Sequence, residues 1–469
     1  MTARYQLVVI GAGPAGMAAA ALAARRGARV LLLDENTGPG GQVYRAVETA
    51  PAGSDVLGPD YERGELLAQD LRSSGADYVP GATVWRLGRS GDLSTPERIE
   101  VGYTQGGRAQ MIRVPHVLVA TGAMERPMPI PGWTLPGVMT VGAAQTILKS
   151  EAMVFDGAVF AGTGPLLWLA AAQYVRAGGV PRAILDTTPI ANRLRTLKHL
   201  SLMFDRMSLV KKGLAWIKEI KRAGVPVYRG VRTLEARGDS RLRSVTFRTS
   251  GARRTLETEH LLLHQGVVPN TQMTLGAGCA HRWDDAQLCW RPELGDFFET
   301  SIPGIRVAGD GGGIEGAEAA EHQGRLAGLA VLADLGLISM GERDTLGGAH
   351  LRAIAAERMF RPFLETLYRP ADGYRIPADP DTLVCRCEEV TAGEVRQCVR
   401  LGAQGPNQLK AYCRAGMGPC QGRMCASTVS EIIAQERGTL VPRVGYLRPR
   451  PPVKPVTLGE LADMDVETD

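Results

Sequence analysis

One plan occurs twice in this chain, and few folds can accommodate it. Leu7-Val-Val-Ile10 is a continuous apolar run. It is followed by Gly11-Ala-Gly-Pro-Ala-Gly16, an Ala-rich stretch from Met17 to Arg26, a second apolar run Arg29-Val-Leu-Leu-Leu33, and a closing Asp34. Ala158-Val-Phe-Ala-Gly162-Thr-Gly164-Pro-Leu-Leu167 repeats the plan, with Ala183-Ile-Leu-Asp186 as the next strand and acid. Wholly apolar strands belong to parallel sheets covered on both faces. The first glycine permits a tight turn, the second lets the backbone approach a pyrophosphate, and the third lets the helix pack closely on the strand. The helix N-terminus then offers free N–H groups and partial positive charge to phosphate. A lone Gly-x-Gly-x-x-Gly says little. A strand before it, a helix after it and an acid closing the second strand make it a dinucleotide-binding fingerprint. Gly11, Gly13 and Gly16, with Pro14 and Ala15 inside the turn, are expected at the pyrophosphate. Asp34, with Glu35 beside it, is expected at the ribose.

The second copy departs from the pattern at Leu167, where the third glycine would stand. That side chain is expected to push the helix away from the strand or from the pyrophosphate. No Arg pair is evident for a 2′-phosphate. Gly162, Gly164 and Asp186 remain candidate contacts, and NAD(P)H, another adenine nucleotide such as ATP, or no occupant all stay open.

The eight cysteines are unevenly placed: none precedes Cys279, and six lie between Cys385 and Cys425. Such confinement suggests a cysteine-bearing module added to a cysteine-free scaffold. Cys385-Arg-Cys387 opens the module and Cys420-Gln-Gly-Arg-Met-Cys425 closes it. Four thiolates are the usual complement of a [2Fe–2S] centre. Zinc, the alternative, prefers C-x2–4-C knuckles, and a site without metal is the third reading. Cys385, Cys387, Cys420 and Cys425 are the expected ligands. Cys413 either replaces one of them or is a spare thiol, while Cys398, Cys279 and Cys289 read as core. Between the pairs, Thr391 to Leu401 is predicted as a helix, with Thr391 as N-cap and Glu394 completing a capping box.

Composition excludes other classes. The hydrophobic share of 44% and charged share of 22% are those of a globular protein. A net charge of +5 and 5% aromatics over 469 residues suit neither a nucleic-acid groove nor a base-stacking platform. The longest apolar stretch, around Ala158 to Val175, is broken by Gly162, Gly164 and Pro165, whereas a spanning helix needs roughly 20 apolar residues. No export signal is read before Leu7, so a cytoplasmic location is expected, with peripheral contact at the inner membrane through the electron acceptor. Val441 to Pro455, rich in proline, is expected to be an extended arm that is either disordered or wrapped on its own or a partner's surface. The basic run Arg193, Arg195, Lys198, Lys211, Lys212, Lys218 and Lys221 reads as a solvated face.

Three further segments carry a resemblance. Gly40-Gly41-Gln42 follows the first acid, Val117-Leu-Val-Ala-Thr121-Gly122 ends a strand in a Thr-Gly turn, and Ile305-Arg-Val-Ala-Gly309-Asp310 ends one in Gly-Asp. With the two glycine turns, they resemble the glutathione- and thioredoxin-reductase-like flavoproteins. The resemblance implies FAD on Gly11, Gly13 and Gly16, with Asp310 at the ribityl chain and Gly41, Gln42, Thr121, Gly122 and Gly309 nearby. It implies an NAD(P)-type second domain. No cysteine stands at Tyr44, Arg45, Met124, Glu125 or Arg126, so a flavin–disulfide relay is not expected there. The cysteine module resembles bacterioferritin-associated-ferredoxin-like [2Fe–2S] domains.

Gly40-Gly-Gln-Val-Tyr-Arg45, Ala120-Thr-Gly-Ala-Met-Glu-Arg-Pro127, Ala161–Leu167 and Gly416–Cys425 make nearly the whole chain resemble a narrower family. Its members are the A or alpha subunits of opine oxidases and of D-hydroxyproline and L-proline dehydrogenases, with the B subunit of hydrogen cyanide synthase. That resemblance implies an FAD-dependent oxidoreductase, one component of a hetero-oligomeric dehydrogenase acting on CH–NH donors. A flavin-containing catalytic partner would oxidise the amine or amino acid, and a small ferredoxin-like subunit could join them. Cys413 departs from the family pattern. A stand-alone NAD(P)H-dependent reductase, and a component of hydrogen cyanide synthase acting on glycine, are the rivals. The expected fold class is α/β: two Rossmann-like domains plus a small α-rich [2Fe–2S] domain and a tail. Residues 1–150 and 276–340 would form the FAD-binding domain, 151–275 the second nucleotide domain, 341–380 a helical linker, 381–440 the [2Fe–2S] domain and 441–469 the arm.

Overall fold

The protein is described by a computed structural model, which covers residues 4–89, 99–199, 201–202 and 206–466. Two five-stranded parallel sheets organise it. The first runs Ile305–Val307, His116–Val119, Leu7–Ile10, Val30–Asp34, Asp77–Pro80. Its central strands are buried along their whole length, as their unbroken apolar sequence requires. The last strand in sequence returns to the far edge, so this sheet is discontinuous in the chain.

The second sheet runs Val227–Arg229, Ala183–Asp186, Val159–Thr163, Leu261–Gln265, Val138–Thr140. Its edge strand and the helix Val141–Glu151 lie ahead of the expected boundary at residue 150. The reason is local. Thr140 ends the strand and caps the helix, its Oγ1 accepting from Ala143 N at 3.2 Å, so strand and helix form one unit.

Each glycine turn opens a helix with proline at the first position, Pro14–Arg25 and Pro165–Arg176, where its missing N–H is not needed. The helix Ala317–Asp334 crosses Pro14–Arg25 so closely that a Cβ on Gly324 would lie 2.0 Å from Ala15 O. The helix Met340–Leu367, capped by Ser339, follows.

The cysteine module packs three helices, Ala392–Arg400, Pro406–Cys413 and Ala426–Glu436, around Val395, Leu409, Val429 and Ile432. The expected capping box is present, with Thr391 N donating to Glu394 Oε2 at 2.8 Å and Glu394 N to Thr391 Oγ1 at 3.2 Å.

Between Val441 and Pro455 the tail departs from an extended arm only at its start. Val441–Val444 forms one helical turn, which Pro442 tolerates because it sits in the first turn. Beyond it the chain runs over its own surface: Val453 N donates to Trp85 O at 2.9 Å, Lys454 pairs with Glu35, and Asp465–Val466 adds a short strand beside Arg108–Val114.

Gly324→Ala should therefore lower the thermal midpoint, by the equivalent of about 1–3 kcal/mol of overpacking. Gly341→Ala, where a Cβ meets open space at a helix start, should leave the midpoint unchanged or slightly raised.

Candidate functional site

The first glycine turn is built from contacts that only glycine allows. Gly11 has φ +105°, and a Cβ there would meet Ala120 O at 2.5 Å; one on Gly16 would meet Gly11 O at 1.8 Å. Among the described residues no side chain caps the helix Pro14–Arg25, so its first turn is left for a ligand. Gly40 N donates to Ala12 O at 2.8 Å, and Gly41 lies against Gly13. The strand-end turns close in from the other side. Thr121 Oγ1 donates to Asn270 O at 3.2 Å, and Asn270 N to Gly122 O at 2.9 Å. Gly309 N is held by Gln323 Oε1 at 2.8 Å, and Asp310 Oδ1 accepts from Glu315 N and Gly316 N at 2.8 and 2.9 Å. The structure thus brings Gly11, Gly13, Gly41, Gly122 and Gly309 to the C-terminal edge of one parallel sheet, where nucleotides bind in such folds.

Asp34 is bonded to the backbone of the turn that precedes it and to Asn36, which follows it. It is 5% exposed; Oδ2 accepts from Ala12 N, and Oδ1 from Asn36 N and Nδ2 at 2.7 Å each. It fastens the glycine turn to the strand end. Glu35 is exposed and paired with Lys454.

The second turn is crowded. A Cβ on Gly162 would lie 1.6 Å from His264 O, and one on Gly164 would lie 2.8 Å from His264 Nε2. His264 Nδ1 is 2.6 Å from Glu125 Oε1, and Glu125 Oε2 accepts from Gly142 N at 2.7 Å. Leu167 is wholly buried in the core. Asp186 is buried too, with Oδ2 2.6 Å from Arg193 and Oδ1 accepting from Thr188 N at 2.9 Å. One member of the basic run, Arg193, is thus bonded to a buried acid while its own side chain stays partly exposed. His264 lies in the strand Leu261–Gln265. Glu125 was not legible as its partner, because the two are far apart in sequence.

The cysteines sort into two groups. The Cys385 thiol interacts directly with Cys425, and Cys387 with Cys420; Cys425 also feels the charge of Cys387 and Cys420. Contact with Cys425 holds the Cys385 thiol down to about 5, helped by the backbone N–H groups of Gly416, Glu388 and Cys387. The loop is tight: a Cβ on Gly418 would lie 2.3 Å from Cys387 Cβ. Among the described residues no three His, Cys, Asp or Glu side chains close tightly enough round one point to hold a metal ion, so the quartet lies as two thiol pairs. Cys413 belongs elsewhere, interacting with Cys398 across the neighbouring helix. Cys279, Cys289 and Cys398 are buried.

The cysteine loop is docked on the first site. Gln272 Nε2 donates to Cys420 O at 2.7 Å and Gln421 O at 3.3 Å, and its Oε1 accepts from Arg423 Nε at 2.7 Å. Gln272 lies two residues beyond Asn270, which is bonded to Thr121 and Gly122. Trp133 Nε1 donates to Leu383 O at 2.8 Å, a second contact of the module with the scaffold.

Fold and site together define a dinucleotide-binding oxidoreductase with a cysteine module seated on its first nucleotide domain. The chain belongs to the pyridine nucleotide-disulphide oxidoreductase family, whose pattern matches residues 5–324, and residues 380–464 match the sarcosine oxidase A3 domain. It is 46% identical to the A subunit of the opine oxidase of Rhizobium meliloti, over 98% of this chain and 88% of the relative. It is 34% identical to the HcnB subunit of the hydrogen cyanide synthase of Pseudomonas aeruginosa, over 98% and 99%. In fold it is similar to L-proline dehydrogenase from P. horikoshii, with a TM-score of 0.70 at 19% identity, over 97% of this chain and 79% of that one. The family makes this chain an oxidoreductase of the FAD/NAD(P)-binding fold. No helix among the described residues is long and apolar enough to cross a membrane.

Asp34→Ala should strip Ala12 N of its acceptor and cost about 1–3 kcal/mol as a buried unsatisfied donor. Chemical unfolding of the variant checks this, and a midpoint equal to that of the wild type would contradict the role given to Asp34.

Proposed function

We propose that this chain is an electron-carrying subunit of a hetero-oligomeric amine or amino-acid dehydrogenase, holding FAD at the first glycine turn and a [2Fe–2S] centre on Cys385, Cys387, Cys420 and Cys425. The observation that carries the reading is the docking of the cysteine loop on Gln272, beside the Thr121–Gly122 turn. FAD exchanges electrons in pairs or singly, while a [2Fe–2S] centre carries one at a time. The residues of the two sites then have separate tasks. Gly11, Gly13 and Gly16 let the backbone approach the pyrophosphate, Asp310 and Gly309 sit at the flavin side, and the backbone N–H groups aimed at Cys385 stabilise thiolate charge.

The catalytic partner would take the hydride from the C–N carbon, and this chain would carry the electrons onward. Opine, hydroxyproline or proline-like amines are the substrate class; the names of the relatives report opine and proline for those proteins. The location proposed is cytoplasmic, with the final acceptor at the inner membrane. A stand-alone nicotinamide-driven reductase is disfavoured by the second turn: Leu167 fills the place of the third glycine, and Asp186 is committed to Arg193.

Cys420→Ser is expected to lose iron from the purified chain, whereas Cys413→Ser keeps it. Iron analysis decides, and iron loss from Cys413→Ser alone would overturn the ligand set. In the intact complex, a substrate amine should bleach the flavin and NADH or NADPH should not. Fast bleaching by a nicotinamide would sink the subunit reading.

A further inference from the structure

The flavin reading uses the glycine turns and leaves one buried cation without a role. Lys149 stands in the helix Val141–Glu151 of the second domain and is 4% exposed. Its Nζ reaches into the first domain and donates to the carbonyls of Gln42 and Val43 at 3.0 and 2.8 Å. Thr146, one turn earlier, donates to Gln42 Oε1 at 3.4 Å. Two neutral carbonyls leave one ammonium proton and the whole charge uncompensated, and no carboxylate pairs with Lys149 among the described residues. The charged group facing it is a second cation, Arg45, whose Nη1 donates to Asn36 Oδ1.

A buried ammonium is costly unless it is paired. A buried ammonium bonded only to carbonyls, with a second cation acting on it and no carboxylate bonded to it among the described residues, is an arrangement that an anion would complete. The turn that carries those carbonyls is Gly40–Val43, which is bonded to Ala12 and lies against Gly13. The charges therefore stand beside the first nucleotide site, one of them supplied by the other domain.

We propose that Lys149, with Arg45, is the countercharge for the anionic part of the bound flavin dinucleotide, and that it positions the Gln42–Val43 turn against that ligand from the second domain. The inference rests on the flavin reading above. It makes nucleotide binding a latch between the two domains, because the ligand neutralises a cation whose helix belongs to the second sheet.

Burial, with Arg45 adding to it, pushes the free Lys149 ammonium down to about 7. A bound anion favours the charged form and raises that value, so binding takes up a proton above neutrality. Affinity is then full below the free-protein value and falls as pH climbs through it. Two tyrosines near this helix are shifted upward, away from this window. Tyr174, on the helix Pro165–Arg176 packed against this one, is pushed up to about 12 by burial, and burial raises Tyr44 as well. The Glu125–His264 pair touches the other end of the helix at Gly142.

The test is to titrate the deflavinated full-length chain with FAD from about pH 6 to about pH 9, spanning the shifted ammonium. Wild type should lose about tenfold in affinity across this range for each unit by which the ligand raises Lys149. Lys149→Met should bind about tenfold or more weakly at the acid end and show no such fall, and Lys149→Arg should bind tightly at every pH. A Met variant that matches wild type throughout overturns the proposal while leaving the flavin reading intact. A wild-type chain that takes up no FAD at any pH sinks the flavin reading itself. Should Lys149→Met fail to fold, the wild-type profile decides alone, and a flat one overturns the proposal.

Discussion

The contact that everything functional turns on is the hydrogen bond from Gln272 to the Cys420 carbonyl. It joins two modules that could otherwise be read as unrelated. On one side, Gln272 follows Asn270, whose backbone is tied to Thr121 and Gly122 at the edge of the first sheet. On the other, the Cys420–Arg423 loop closes over the thiols. Arg423 completes the clamp by donating to the same amide. A glutamine suits this place because it donates and accepts at once.

The backbone elements at the site were legible in the sequence because their causes are local. A strand of apolar residues, a turn whose first glycine needs a positive φ, and a helix with proline at its start all state their geometry within a few residues. The capping box at Thr391 and Glu394 is legible for the same reason. The edge of the second sheet was not legible, because Val138–Thr140 carries no signal of its own. It is a strand only because Leu261–Leu263 offers it a neighbour.

What the sequence withheld are pairings between residues far apart along the chain. Lys149 reads as an ordinary surface lysine of an amphipathic helix until Gln42 and Val43 are set beside it. Glu125 reads as a loop acid until His264 is placed against it. Asp34 stands at its expected place in the pattern, but its bonds to Ala12 N and Asn36 could not be read from that place. Cys413 was ambiguous by spacing, and helix packing sets its thiol against Cys398.

The central claim is that a single chain holds both a two-electron and a one-electron carrier in contact. An anaerobic reductive titration of the purified chain, followed by visible absorbance and EPR together, tests it most directly. The account predicts that both carriers fill, with the flavin band bleaching and a paramagnetic iron–sulfur signal growing in the same sample. Uptake confined to the flavin band, with no paramagnetic iron signal at full reduction, would contradict it.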